Sequence, residues 1–307
     1  MPDIRSSLLF RKKMITLEKE YMRGIRSIQQ GGKREMLDAL SISGVKLSTI
    51  PTLKRVIAEM GTQSANKGDE ISKQINEVTL WYLEKQREQI IGAKLPEPPS
   101  APHIALLTGD KRNLIYEQTI AKEPQWVADM AQSIEINMTR LSVAGADLST
   151  AIDRLLSPTI ADGRASVLRL AEVGAEKAIS TNTWVAGITV MNVLYQMVQQ
   201  TTQTVYMKQA VAAIDERTTD CCLRVHGQVQ PLDKPFKLDG SPRFSDEVDS
   251  PPFHWYCRTA QTLYTEKFEQ KGITTEAMTD AARAELDARE QTGKRVPIHP
   301  ADSTSRR

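Results

Sequence analysis

Aromatic side chains are scarce in this sequence, making up only 5% of its 307 residues. Sheets draw heavily on aromatic and β-branched residues, so the shortage points to helices. Only three cysteines occur, and a chain of this length can bury a core without any disulfide framework. No charge of one sign dominates, because 40 Lys and Arg face 38 Asp and Glu for a net charge of +2. That balance excludes a global electrostatic pull towards nucleic acid or an anionic membrane, and any such binding must be local. No apolar run reaches the ~20 residues that a bilayer span needs. The most apolar stretch, residues 184–198, is interrupted by Thr189, Asn192 and Gln196 and reads as a buried helix. A secretory signal is not expected either, since Leu8, Leu9 and Phe10 are followed at once by Arg11. The expectation is a chain at home in the cytoplasm of its host, with no membrane association.

What the sequence does contain is helical periodicity. Apolar residues recur at helical spacing at Leu17, Tyr21, Ile25 and Ile28, and again at Ile71, Ile75, Val78 and Tyr82. Gly31 and Gly32 are expected to end a first helix, and Pro51 to open another, so residues 1–94 read as three or four helices. Pro96, Pro98, Pro99 and Pro102 mark residues 95–103 as a linker. Residues 104–208 form a helical middle region, with Pro124 opening one helix and a Thr150/Asp153 capping box another. Gly174 and Gly187 are expected to divide its last part into two helices. From 209 to 265 Gly and Pro become frequent, and a short strand near 209–214 introduces a small irregular β module. A C-terminal helix and a polar tail fill residues 266–307. The fold class expected is therefore mainly α, of the α+β kind.

Two groups of residues stand out chemically. Residues 1–35 hold nine cationic side chains against four acidic ones, among them Arg11, Lys12, Lys13, Lys19, Arg23 and Arg26. They read either as a basic arm that touches packaged DNA or an acidic partner surface, or as the solvated face of an amphipathic helix. As an arm, residues 1–35 would be separable from the C-terminal module. The second group is in that module, which contains all three cysteines together with His226 and His254. Cys222 and His226 are four apart, and His254 and Cys257 three apart, so each pair can turn its donors towards one point. Three readings fit: a structural zinc ion on Cys222, His226, His254 and Cys257, a Cys222–Cys257 disulfide, or free thiols in a small core. Zinc would supply the stability that a loop-rich unit of this size lacks. Asp215, Glu216, Arg217 and Thr218 just upstream read as a structural turn in which the aspartate binds nearby backbone and an arginine binds the aspartate.

The string DERTTDCCLRVHG at 215–227, followed by PPFHWYCR at 251–258, resembles the Mu F-like head morphogenesis proteins of tailed bacteriophages. Those proteins carry D-x-R-T-x-x-x-C-x-x-x-H-G and then P-P-x-H-x-x-C-R. Every fixed position is present, at Asp215, Arg217, Thr218, Cys222, His226, Gly227, Pro251, Pro252, His254, Cys257 and Arg258. The likeness extends more loosely upstream through Arg164, Ala165, Leu168, Ala171, Glu172, Val173 and Ala178, and covers about residues 140–265. Thr219 stands where many members have a further cysteine. The resemblance implies a minor capsid protein inside the head near the portal, acting in head morphogenesis and in DNA packaging or ejection. It implies portal or major capsid subunits as partners, the virion as location, and no established catalytic activity. The competing expectations are a metal-dependent nuclease or hydrolase using the His/Cys cluster, and a DNA-binding ejection protein using the basic N-terminal residues.

Overall fold

The computed structural model describes residues 4–120, 124–157, 165–216, 218–238, 247–254, 257, 259–271 and 275–294. Two very long helices begin the chain, α1 (Ile4–Ser43) and α2 (Ile50–Gly92), joined by a turn at Gly44 and one turn of 3-10 helix. Then follow α3 (Ala101–Thr119), α4 (Gln125–Val143), α5 (Leu148–Leu156) and the long α6 (Val167–Thr202). Strand β1 (Met207–Val211) leads to the short α7 (Asp220–Val225), then β2 (Val229–Pro231), β3 (Phe236–Lys237), β4 (Glu247–Val248) and β5 (Ala260–Tyr264). Another short 3-10 stretch and α8 (Thr275–Thr292) complete the described chain. The protein is mainly α, with a small amount of antiparallel β structure, as the composition indicates.

The glycines expected to break helices do something else. α1 runs straight through Gly31 and Gly32, because a Cβ at Gly32 would stand 2.2 Å from the Met60 sulfur, so the glycine serves a close approach of α2. α1 ends instead at Gly44, whose φ of +74° suits a residue without a side chain. α6 likewise continues through Gly174 and Gly187 as one helix rather than two. A Cβ at Gly187 would lie 2.6 Å from Met14 Cε. The cap of α5 is one turn earlier than the Thr150/Asp153 pair, with the Asp147 carboxylate accepting the Thr150 N–H at 2.7 Å. Pro51 and Pro124 do stand at helix starts.

The chain packs as two compact units that interleave along the sequence rather than follow the consecutive regions read from it. One draws on Glu18–Ser72 and Glu117–Ser180, and is helical. Its core is made by Tyr21, Ile25, Met36 and Leu40 of α1, Val56, Ile57 and Met60 of α2, Trp126, Met130 and Ile134 of α4, and Ala175 and Ile179 of α6.

The other unit draws on Met1–Leu17, Lys73–Tyr116 and Thr181–Arg307, and holds the sheet. Phe10 stacks on Tyr82 with ring centroids 4.4 Å apart, and Trp184, Met191, Leu194, Tyr195 and Val198 of α6 are fully buried. The prolines of 95–100 have no regular secondary structure but are pinned to α2, where Arg87 Nε donates to the Pro98 carbonyl at 2.9 Å and Glu84 accepts the Ala101 N–H at 3.1 Å.

β1 is the central strand, antiparallel to β2 on one side and β5 on the other. An exposed strand edge needs partners for its outward backbone groups, and on β5 the helices provide them. Tyr82 and Tyr195 both donate to the Gln261 carbonyl, at 3.1 and 3.2 Å, and the Leu263 N–H donates to Gln86 Oε1 at 2.7 Å. β3 and β4 form a separate ribbon that lays Phe236 against Phe253 at 5.7 Å. Around them Ala210, Ala212, Val225 and Leu238 enclose the cysteines in one small apolar core.

Candidate metal centre

α7 is only six residues long, and its first turn carries Cys221 and Cys222, both buried. The turn before it is tightly specified. The Thr218 N–H and hydroxyl bond the Asp215 carbonyl and carboxylate at 3.1 and 3.0 Å. The arginine that completes this turn is Arg289 of α8, which the sequence reading did not single out. Its guanidinium donates to the Asp215 and Thr218 carbonyls at 2.8 and 2.7 Å and to the Asp220 carboxylate at 2.9 Å. Arg217, expected to bind the aspartate, lies outside the described residues, as does Arg258.

The second half of the motif arrives through a cis peptide between Pro251 and Pro252. Pro251 is buried and Pro252 half-buried, and beyond them Phe253 enters the small core. The Cys257 N–H donates to the His254 carbonyl at 3.1 Å, which keeps the last two donors close together.

The two halves meet. Cys222 Sγ lies 3.1 Å from His254 Nε2 and 3.7 Å from Cys257 Sγ. The donor atoms of Cys221, Cys222 and His254 all lie within 4.8 Å of one another, an arrangement that could hold a metal ion. Thr219 adds a hydroxyl 3.1 Å from Cys221 Sγ and 2.9 Å from His254 Nε2. All three cysteines are free thiols, and no disulfide joins Cys222 to Cys257.

His226 is placed differently from the sequence expectation. It closes the C-terminal end of α7, and its Nδ1 accepts the Ala212 N–H at 2.9 Å, tying the helix to the end of β1. Gly227 follows with φ +84° and donates its N–H to the Ala210 carbonyl at 2.9 Å, a conformation that a side chain would strain. The i,i+4 spacing of Cys222 and His226 suggested a shared target, but the helix stops between them and the ring turns to the sheet. The adjacent Cys221 joins the cluster instead. The vicinal pair of cysteines was the available clue, and spacing alone could not rank Cys221 against His226.

The electrostatics of the cluster match its composition. Hydrogen bonding from Cys222 is the largest influence on Cys221, whose thiol is lowered to about 5. Cys257 is also held well below the usual thiol range: burial opposes its charge, but hydrogen bonds from Cys222 and His254 outweigh it. Cys222 between them keeps its proton, its thiol pushed up by Cys221 and Cys257 and by burial. Burial opposes the charge of His254, yet the two neighbouring sulfurs raise it to about 11. Thiolates gathered around an imidazolium are the charge pattern into which a soft cation can substitute.

His226 behaves in the opposite sense, because burial alone lowers its pKa to about 4. A histidine whose folded pKa lies below its unfolded one takes up its proton more readily on unfolding. Its contribution to stability is whole above the ordinary value of about 6.5 and is lost as pH falls towards 4, by up to about 3 kcal/mol. His226→Asn offers Oδ1 to the Ala212 N–H without titrating. Its unfolding free energy, measured in urea across pH 4 to 7, should fall less steeply on the acid side than that of the wild type. Equal slopes would show that His226 is not the titrating group.

The basic N-terminal residues are built into the helical body rather than forming a detachable arm. Arg11 pairs with Asp215 at 3.5 Å, Lys13 lies over the Trp81 ring at 4.9 Å, and Arg26 pairs with Glu176 at 2.9 Å. Lys12, Lys19 and Arg23 are exposed. Because Phe10 and Met14 between them are fully buried, residues 1–35 cannot be removed without opening the core. No helix among the described residues is long and apolar enough to cross a membrane.

No protein-family model, no curated protein and no solved structure matches this chain.

Proposed function

We propose that this chain is a minor head protein of a tailed bacteriophage, a structural component inside the capsid near the portal whose C-terminal module is held together by a structural zinc ion. It has no catalytic role in this reading. The observation that supports it is the meeting of the two motif halves. Cys222 and His254, far apart in sequence, stand 3.1 Å apart in the fold, so residues from both halves of the motif come together. Long helices with exposed apolar positions such as Leu106 and Leu107 of α3, 83% and 51% exposed, offer docking area for capsid or portal subunits.

The test is mass spectrometry of density-purified heads from the phage that encodes the chain. The chain should be found in heads in far fewer copies than the major capsid protein, and heads assembled without it should be defective. Normal infectious heads lacking the chain would overturn the proposal.

A further inference from the structure

We infer that Cys221, Cys222, Cys257 and Nε2 of His254 are the complete donor set of a closed tetrahedral site for a soft divalent cation, with His226 outside it. The inference rests on the reading that the cluster holds zinc, and it decides which atoms do so.

Two distances together with the chemistry of the donors carry the assignment. Zinc sits ~2.3 Å from sulfur and ~2.0 Å from imidazole nitrogen, so a tetrahedron of such ligands has edges of about 3.5 to 3.8 Å. Cys222 and Cys257 already stand one such edge apart, at 3.7 Å. Cys222 Sγ and His254 Nε2, at 3.1 Å, need only open by a few tenths of an ångström. Cys221 belongs to the group of donors, with Cys222 and His254, that all stand within 4.8 Å of one another, whereas Cys257 lies outside that group and its sulfur must move inward to complete the tetrahedron. His226 does not, because its Nδ1 is engaged by the Ala212 N–H.

The chemical class of the ion follows from what surrounds the sulfurs. Calcium and magnesium require several oxygen ligands, and the Asp220 and Asp215 carboxylates upstream of the cysteines are committed elsewhere. Asp220 is bonded by Arg289 at 2.9 Å, and Asp215 is bonded by Thr218 at 3.0 Å with Arg11 at 3.5 Å. Three thiols and one imidazole select zinc or its soft relatives. Cys222 and Cys257 are 2% and 1% exposed, so both sulfurs lie away from bulk water, and a site filled by four protein ligands is structural rather than hydrolytic. Thr219 completes the surroundings. When Nε2 turns its lone pair to the metal, the Thr219 hydroxyl is left to donate to Cys221 Sγ, 3.1 Å away, as an outer partner that holds the ligand in place.

The experiment uses the full chain, loaded with one equivalent of zinc or cobalt(II). X-ray absorption at the zinc edge of the wild type should show three sulfurs and one nitrogen. The cobalt form should show tetrahedral visible bands and an ultraviolet sulfur-to-cobalt band that loses about one third of its intensity in Cys221→Ser and again in Cys257→Ser. Cys221→Ser should lower zinc affinity by more than the ~10–100-fold that loss of an outer partner costs, Thr219→Val should fall within that range, and His226→Asn should bind as the wild type does. A wild-type shell of two sulfurs and two nitrogens, or loss of metal in His226→Asn with retention in Cys221→Ser, would overturn the donor set while leaving zinc binding intact. A wild-type chain that binds neither metal would overturn the zinc reading itself. The absorption measurement needs no variant, so it decides the matter even where a serine variant does not fold.

Discussion

Replacing Trp184 by alanine is expected to lower the unfolding free energy by about 4 kcal/mol, the middle of the range for deleting a large buried aromatic side chain. Trp184 is fully buried at the middle of α6, in the same unit as the stacked Phe10 and Tyr82. Its removal leaves a cavity that a close-packed interior fills only in part. Domains of this kind are commonly stable by only ~5–15 kcal/mol, so the variant should show a strongly reduced urea midpoint and poor recovery from expression at 37 °C. Trp184→Phe should recover a good part of the loss. A midpoint for the alanine variant within error of the wild type would show that α6 does not anchor this unit.

Arg289→Ala is expected to cost about 3 kcal/mol and to loosen the loop that carries the cysteines. The side chain is 7% exposed and serves the carbonyls of Asp215 and Thr218 together with the carboxylates of Asp220 and Glu285. Truncation leaves these acceptors without the one donor that joins them, and a hydrogen bond to a charged group contributes ~1.5–3 kcal/mol. Arg289→Lys should rescue only part of the loss, because a single ammonium cannot span two carbonyls and a carboxylate as the guanidinium fork does. Hydrogen exchange offers a direct reading: amides of residues 218–226 should lose protection in the alanine variant, while those of α1 and α6 keep theirs. Unchanged protection in residues 218–226 would mean that α8 rests on the module without holding it.

These two residues differ in how legible they were. Trp184 belongs to a run of apolar residues at helical spacing, so its burial follows from periodicity and from the cost of exposing an indole to water. Arg289 is one of several charged residues on a polar helix, and nothing local distinguishes it from Arg283, which is exposed. Its role depends on acceptors some 70 residues earlier, at a turn that the sequence did identify at Asp215 and Thr218. The helix ends show the same division. Pro51 and Pro124 act through their own ring geometry and stand where expected, whereas Gly32 and Gly187 depend on which side chain comes to rest against them.

By itself the sequence determined the mainly helical class, the proline-rich break before α3, the change to short strands after α6, and the concentration of soft donor atoms in that last module. These are properties of periodicity, composition and residues whose backbone preferences are intrinsic. Only the tertiary structure decided that α1 and α6 pass unbroken through their glycines, that the two units interleave along the chain, and that Cys221 rather than His226 joins Cys222 and His254. The physical reason is common to all three. Each is settled by a partner distant in sequence, a methionine sulfur, a returning helix or a backbone N–H at the end of β1, and a local pattern carries no information about which distant group will be there to meet it.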